Sequence, residues 1–75
     1  FNGIETFSYF VAVAEEKSFN KAAERLFISQ PPLSRQIKQL EEEIGVTLID
    51  RDNRPLKITE AGDFFYDHAL QIIKK

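Results

Sequence analysis

The sequence predicts a mainly α-helical domain carrying one two-stranded β-hairpin. Three observations carry this: apolar residues recur at helical spacing in four stretches, cap-type residues separate those stretches, and the turn residues Asp52-Asn53-Arg54-Pro55 lie between a pair of short β-type runs. In the first stretch, about residues 4 to 16, Ile4, Phe7, Phe10, Val11 and Ala14 share a side, with Glu15, Glu16 and Lys17 at the polar end. Ser18 and Asn20 are N-cap residue types; Asn20 is expected to open a second helix, with Ala22, Ala23, Leu26 and Phe27 as its apolar side. Ile28 ends it, and the small alanines let another helix approach closely. Ser29 is expected to cap a third helix whose first turn holds Gln30, Pro31 and Pro32. Prolines are tolerated there because the first amides of a helix have no intrahelical partner. Leu33, Ile37, Leu40 and Ile44 then form one narrow apolar stripe, and at about 100° per residue Pro31, Arg35 and Lys38 point the opposite way. Gly45 is expected to stop the helix as a left-handed cap.

Thr47 to Asp50 and Leu56 to Ile58 read as the two strands of the hairpin, with Arg51 and Arg54 near its tip. Thr59 is expected to cap a last helix running through Lys75. Its Ala61, Phe64, Phe65 and Ile72 are assigned to one face and Tyr66, Ala69, Leu70 and Ile73 to the other. A helix apolar on two sides needs two surfaces to pack on. One is the core of this domain; the other is expected to be a second copy of the chain, met through Phe64, Phe65, Tyr66, Leu70 and Ile73.

With 75 residues the chain has room for one small core and little room for an enzyme cleft. The absence of cysteine excludes disulfides and thiolate metal sites, and fits a cytosolic setting. No apolar run approaches the roughly 20 residues of a membrane span, and no signal-peptide pattern opens the chain, so no membrane partner is expected. The start at Phe1 and a helical pattern still running at Lys74-Lys75 lead to the expectation of a piece of a longer protein. The net charge of −2 is unevenly spread. Residues 17 to 38 hold Lys17, Lys21, Arg25, Arg35 and Lys38 against Glu24 alone, and residues 51 to 57 hold Arg51, Arg54 and Lys57 against Asp52. A local basic face binds phosphate whatever the total. Nothing points to catalysis: Ser29 and Ser34 have no activating partner pattern, and no metal cluster or phosphate-binding glycine loop occurs. His68 shares a face with Phe65 and Ile72 and reads as a packed or interface residue. Neither an enzyme activity nor a cofactor is implied.

Two short helices, a tight turn, a third helix with one apolar stripe, and a basic hairpin together describe a winged helix-turn-helix. In helix-turn-helix proteins the second helix of the pair enters the major groove of DNA with its N-terminal residues at the base edges. Here that helix begins at Ser29, with amides and a positive dipole end for phosphate, while Glu41, Glu42 and Glu43 lie at the far end, away from a duplex. Other readings of the same residues stay open. Arg35 and Lys38 suit a solvated helix face, Arg51, Arg54 and Lys57 suit charges that protect a hairpin edge, and the basic face suits an acidic protein partner.

The run Ser18-Phe-Asn-Lys-Ala-Ala-Glu-Arg-Leu26, then Ser29-Gln-Pro-Pro-Leu-Ser-Arg-Gln-Ile-Lys-Gln-Leu-Glu-Glu-Glu-Ile-Gly45, then Thr59-Glu-Ala-Gly62 resembles, in order and spacing, the signature of LysR-type transcriptional regulators. The resemblance covers practically the whole chain. It implies a winged helix-turn-helix over residues 1–58 and the start of a dimerising linker helix over 59–75, with a C-terminal effector domain that binds a small inducer lying outside this chain. It implies double-stranded DNA with two-fold related half-sites as the partner of a homodimer, which would be a tetramer in the full-length protein. Gln30, Pro31, Pro32 and Arg35 would then lie at base edges. Asn20, Lys21, Ser29, Ser34, Lys38 and Arg51 would lie at the DNA backbone, and Arg54 would reach the minor groove. Ile49 stands where the family usually has phenylalanine, which bears on wing packing. Pro31-Pro32 and the Phe64-Phe65-Tyr66 run are similar to regulators of aromatic-compound catabolism within the family.

Overall fold

A computed structural model describes residues 4–73. The first helix, α1 (Ile4–Glu16), lies at the centre of the fold and buries Phe10, Val11, Ala12, Val13 and Ala14. It ends at Lys17, whose left-handed backbone (φ 54°) lets its amide donate to the Val13 carbonyl. The second helix, α2 (Phe19–Leu26), starts two residues earlier than expected. Ser18, not Asn20, is its N-cap: the backbone there is extended, and the hydroxyl accepts from the Lys21 amide at 3.1 Å. Ala22 and Ala23 are buried, as their size allows.

The exit from α2 corrects a second expectation. Phe27 takes a left-handed conformation (φ 59°), its amide donates to the Glu24 carbonyl, and the Ile28 amide donates to that of Ala23. That reversal swings the Phe27 ring off the apolar face and leaves it 94% exposed. In the third helix, α3 (Gln30–Ile44), Ser29 occupies the cap position yet makes no side-chain capping hydrogen bond. The cause lies in the sequence: a capping oxygen accepts from the second or third helical amide, and Pro31 and Pro32, at those positions, have none. Leu33, Ile37 and Leu40 are fully buried as expected, and Gly45 (φ 77°) closes the helix with its amide on the Glu41 carbonyl. Ile44 is exposed, and Glu41 is buried instead.

The wing is shorter than the apolar runs suggested. Strand β1 (Ile49–Asp50) pairs antiparallel with β2 (Lys57–Ile58) in the register Ile49 to Ile58 and Asp50 to Lys57. Leu48, Ile49 and Leu56 anchor it in the core, so isoleucine at 49 still fills the wing's packing position. A hydrogen bond from the Leu56 amide to the Lys17 carbonyl ties the hairpin to the turn between α1 and α2.

The last described helix, α4 (Glu60–Ile73), is capped by Thr59, whose hydroxyl accepts from the Gly62 amide and donates to the Thr47 carbonyl. Its faces divide differently from the expected pairing. Phe65 turns inward, stacked on Phe7 (centroids 5.5 Å apart) and edge-on to Phe10 (5.3 Å), while Ala69 is fully buried. Tyr66 donates its hydroxyl proton to Glu15, which holds the phenol above its ordinary pKa. Phe64 is 68% exposed and lies against His68, which is itself exposed rather than packed in the core. The continuation of the helix over Lys74 and Lys75 lies outside the described residues. None of the helices is long and apolar enough to cross a membrane among the described residues.

Gly62 is the point where α4 meets the base of the wing. A Cβ there would overlap the Leu48 carbonyl oxygen and lie 2.6 Å from Ile58 Cγ2. Gly62→Ala is expected to destabilise the fold by about 1–3 kcal/mol or more, because backbone rather than a flexible side chain must give way. Urea unfolding followed by circular dichroism measures it; an unchanged midpoint would show that α4 shifts freely on the wing.

Candidate nucleic-acid interface

The N-termini of α2 and α3 and the wing enclose a groove of about 540 Å³ whose lining includes Asn20, Lys21, Gln30, Ser34, Arg51 and Arg54. A shallower surface continues around α3 through Gln30, Pro31, Ser34, Arg35 and Lys38. The two share Gln30, Ser34 and Arg51, so they form one continuous face. Most of the site residues expected from the sequence meet here. Asn20, Lys21, Pro31, Arg35, Lys38 and Arg54 are exposed on it, and Gln30 and Ser34 are half-buried. Pro32 is half-buried and Ser29 exposed, and neither lines these two surfaces.

The electrostatics of this face differ from the charge count in three places. The prolines remove two of the first amides of α3, so its N-terminus offers a phosphate fewer hydrogen bonds than its dipole suggests. Arg25 is engaged in ion pairs at the surface: it bridges Glu15 at 2.8 Å and Glu16 at 3.2 Å, and Glu15 holds its pKa above the ordinary arginine value. Arg51, expected at the DNA backbone, lines both surfaces but is half-buried and engaged within the fold. Its Nη1 pairs with Glu41 Oε1 at 3.2 Å and its guanidinium lies 5.0 Å from the centre of the Phe19 ring. Lys17, Lys21, Arg35, Lys38 and Arg54 remain as the exposed cations of the face.

Glu41 is the functional residue that the sequence reading missed. Only 7% exposed, its Oε2 accepts from the Leu48 amide at 2.8 Å and the Ile49 amide at 3.1 Å, while Oε1 pairs with Arg51. It therefore faces the wing's base rather than standing away at the end of α3. A signal was present, since Glu41 follows Leu33 and Ile37 at intervals of four and falls on the buried stripe. Further along the wing, the Asp50 carboxylate accepts from the Asp52 amide and from Asn53 Nδ2, which braces the tip. Arg54 Nη1 donates to the carbonyls of Arg51 at 2.7 Å and Asn53 at 3.1 Å.

A helix pair joined by a tight turn, with a hairpin set beside the second helix and cations on the face they share, defines a winged helix-turn-helix protein. Residues 4–63 match the family model for the bacterial regulatory helix-turn-helix proteins of the lysR family, and the chain belongs to that family. It is 58% identical over 65 residues to the HTH-type transcriptional regulator BenM of Acinetobacter baylyi, covering 87% of this chain and 21% of BenM. It is 62% identical over 61 residues to the HTH-type transcriptional regulator AlsR of Bacillus subtilis, covering 81% of this chain and 20% of AlsR. The chain thus spans about a fifth of the length of these regulators. Among solved structures, a complex of the BenM DBD with catB site 1 DNA superposes with a TM-score of 0.94 at 52% identity, covering 97% of this chain and 82% of that one. A CbnR DBD–DNA complex superposes with a TM-score of 0.92 at 40% identity, covering 97% and 84%.

The role of Glu41 is open to direct measurement. Glu41→Ala leaves two backbone amides and a guanidinium without their acceptor, and is expected to cost about 2–4 kcal/mol of stability. Glu41→Gln is expected to cost less, because its amide oxygen still accepts from Leu48 and Ile49 and only the ion pair with Arg51 is lost. Equal and small losses in both variants, read by chemical denaturation, would mean that the carboxylate does not hold the wing.

Proposed function

We propose that this chain binds double-stranded DNA in a sequence-specific manner as the DNA-binding domain of a bacterial transcriptional regulator. The observation that carries the reading is the continuous face on which Asn20, Lys21, Gln30, Pro31, Ser34, Arg35, Lys38 and Arg54 meet. The family membership and the DNA complexes of its structural relatives support it. In this reading α3 lies in the major groove, with Gln30, Pro31 and Arg35 at base edges and Ser34 and Lys38 toward phosphates. Asn20 and Lys21 follow the adjacent backbone. Arg54 enters the neighbouring minor groove and favours a narrow, A·T-rich segment, where negative potential is concentrated. The reading is of a binding protein with no reaction assigned.

The full-length regulator acts as a homodimer on two-fold related half-sites and assembles to a tetramer, and its effector domain senses a small inducer. Support for pairing through α4 comes from Phe64, which is exposed, and from Leu70 and Ile73, which are half-buried. Phe65 and Tyr66 contribute by docking α4 on α1 instead of facing a partner.

Selection of bound sites from a random duplex pool, followed by binding titrations at several salt concentrations, tests the function. A preferred sequence should emerge. Arg35→Ala should then lower affinity for it by about 1–3 kcal/mol and relax preference at one base pair. Lys38→Ala should weaken preferred and random duplexes alike and reduce the salt slope by about 1. Binding without sequence preference in the selected pool would favour a protein-interaction role for the face.

A further inference from the structure

We propose that Arg51 is a positioning residue that sets the wing arginine, Arg54, at a fixed place relative to α3, and that it does not neutralise a phosphate; this rests on the DNA-binding reading above. Its guanidinium is held from two sides. Glu41 of α3 pairs with Nη1, and the ring of Phe19, the first residue of α2, lies under the guanidinium carbon. The other two guanidinium nitrogens, Nε and Nη2, are buried and have no hydrogen-bond partner among the described residues. In this arrangement neither nitrogen is open to a phosphate oxygen.

The main chain of the same residue faces the wing. The Arg51 carbonyl accepts from Arg54 Nη1 at 2.7 Å, the shorter of the two hydrogen bonds that hold that guanidinium. Arg51 thus connects the two helices of the helix-turn-helix to the wing tip: its side chain is fixed by α2 and α3, and its carbonyl anchors Arg54. The planar guanidinium is suited to this, because it stacks on an aromatic face and pairs with a carboxylate at once. A lysine keeps the charge but not both contacts.

The two roles separate by experiment. Binding of wild type, Arg51→Lys and Arg51→Gln is titrated over a salt series on duplexes that carry the selected site and differ only in A·T or G·C flanks. The positioning role requires wild type to favour A·T flanks, and both variants to lose most of that preference while keeping the wild-type salt slope. Glu41→Gln removes Arg51's ion partner while leaving an acceptor for the Leu48 and Ile49 amides, and must reproduce the loss. A phosphate contact gives the reverse pattern, with the slope reduced by about 1 in Arg51→Gln, restored in Arg51→Lys, and flank preference intact in both. That result would overturn the proposal and leave the DNA-binding reading standing, as would a wild type that binds its site but is indifferent to flanks. A wild type that binds no duplex preferentially would overturn both.

Discussion

The burial of one carboxylate, that of Glu41, is the constraint on which the rest of the arrangement depends. A carboxylate removed from water is costly unless its lone pairs are used. Here two backbone amides at the base of β1 and the Arg51 guanidinium use them. The benefit runs in both directions. A hairpin with two-residue strands has too short a ladder to stand alone in water. The wing takes its orientation from α3 through Glu41, from the α1–α2 turn through the Leu56 amide, and from α4 through Thr59 and Gly62.

The opposite side of α3 explains why its outer residues point where they do. Leu33, Ile37 and Leu40 are fully buried, so the helix cannot rotate without exposing all three. Arg35 and Lys38 are thereby committed to the exposed side. Alanines at 22 and 23 let α2 pack closely, which puts Asn20 and Lys21 beside the N-terminus of α3 in the same groove. Both halves of the face are consequences of core packing. Fixing α3 and the wing to each other before any ligand arrives reduces the entropy lost on docking.

Much of this was legible in the sequence because helical periodicity and cap chemistry are local. The bounds of α1, the buried triplet of α3, the left-handed Gly45 and the Thr59 cap all follow from residues within a turn or two of each other. What was not legible depends on partners distant in sequence. Spacing puts Glu41 on the buried stripe of α3, but what it holds is decided only when Leu48, Ile49 and Arg51 are brought to it. Arg51 and Arg25 read as free cations until Phe19, Glu41, Glu15 and Glu16 are placed. The faces of α4 were divided wrongly because nearly every turn of it carries an aromatic or aliphatic residue. Only docking on Phe7 and Phe10 decides that Phe65 turns inward and Phe64 outward. Ser29 holds the cap position its residue type indicates, but the two prolines that mark the helix start also remove the amides a capping hydroxyl needs.

The central claim is that α3 and the wing are one rigid body joined at Glu41. Amide hydrogen exchange of the chain at Leu48 and Ile49, set against the amides of Ile37 and Leu40 in the buried stretch of α3, tests it most directly. The account predicts comparable protection at all four, because the two wing amides donate to a buried carboxylate and open only when the domain unfolds. Exchange at Leu48 and Ile49 faster by about a hundredfold or more, with Ile37 and Leu40 still protected, would show a wing that opens independently and would contradict it.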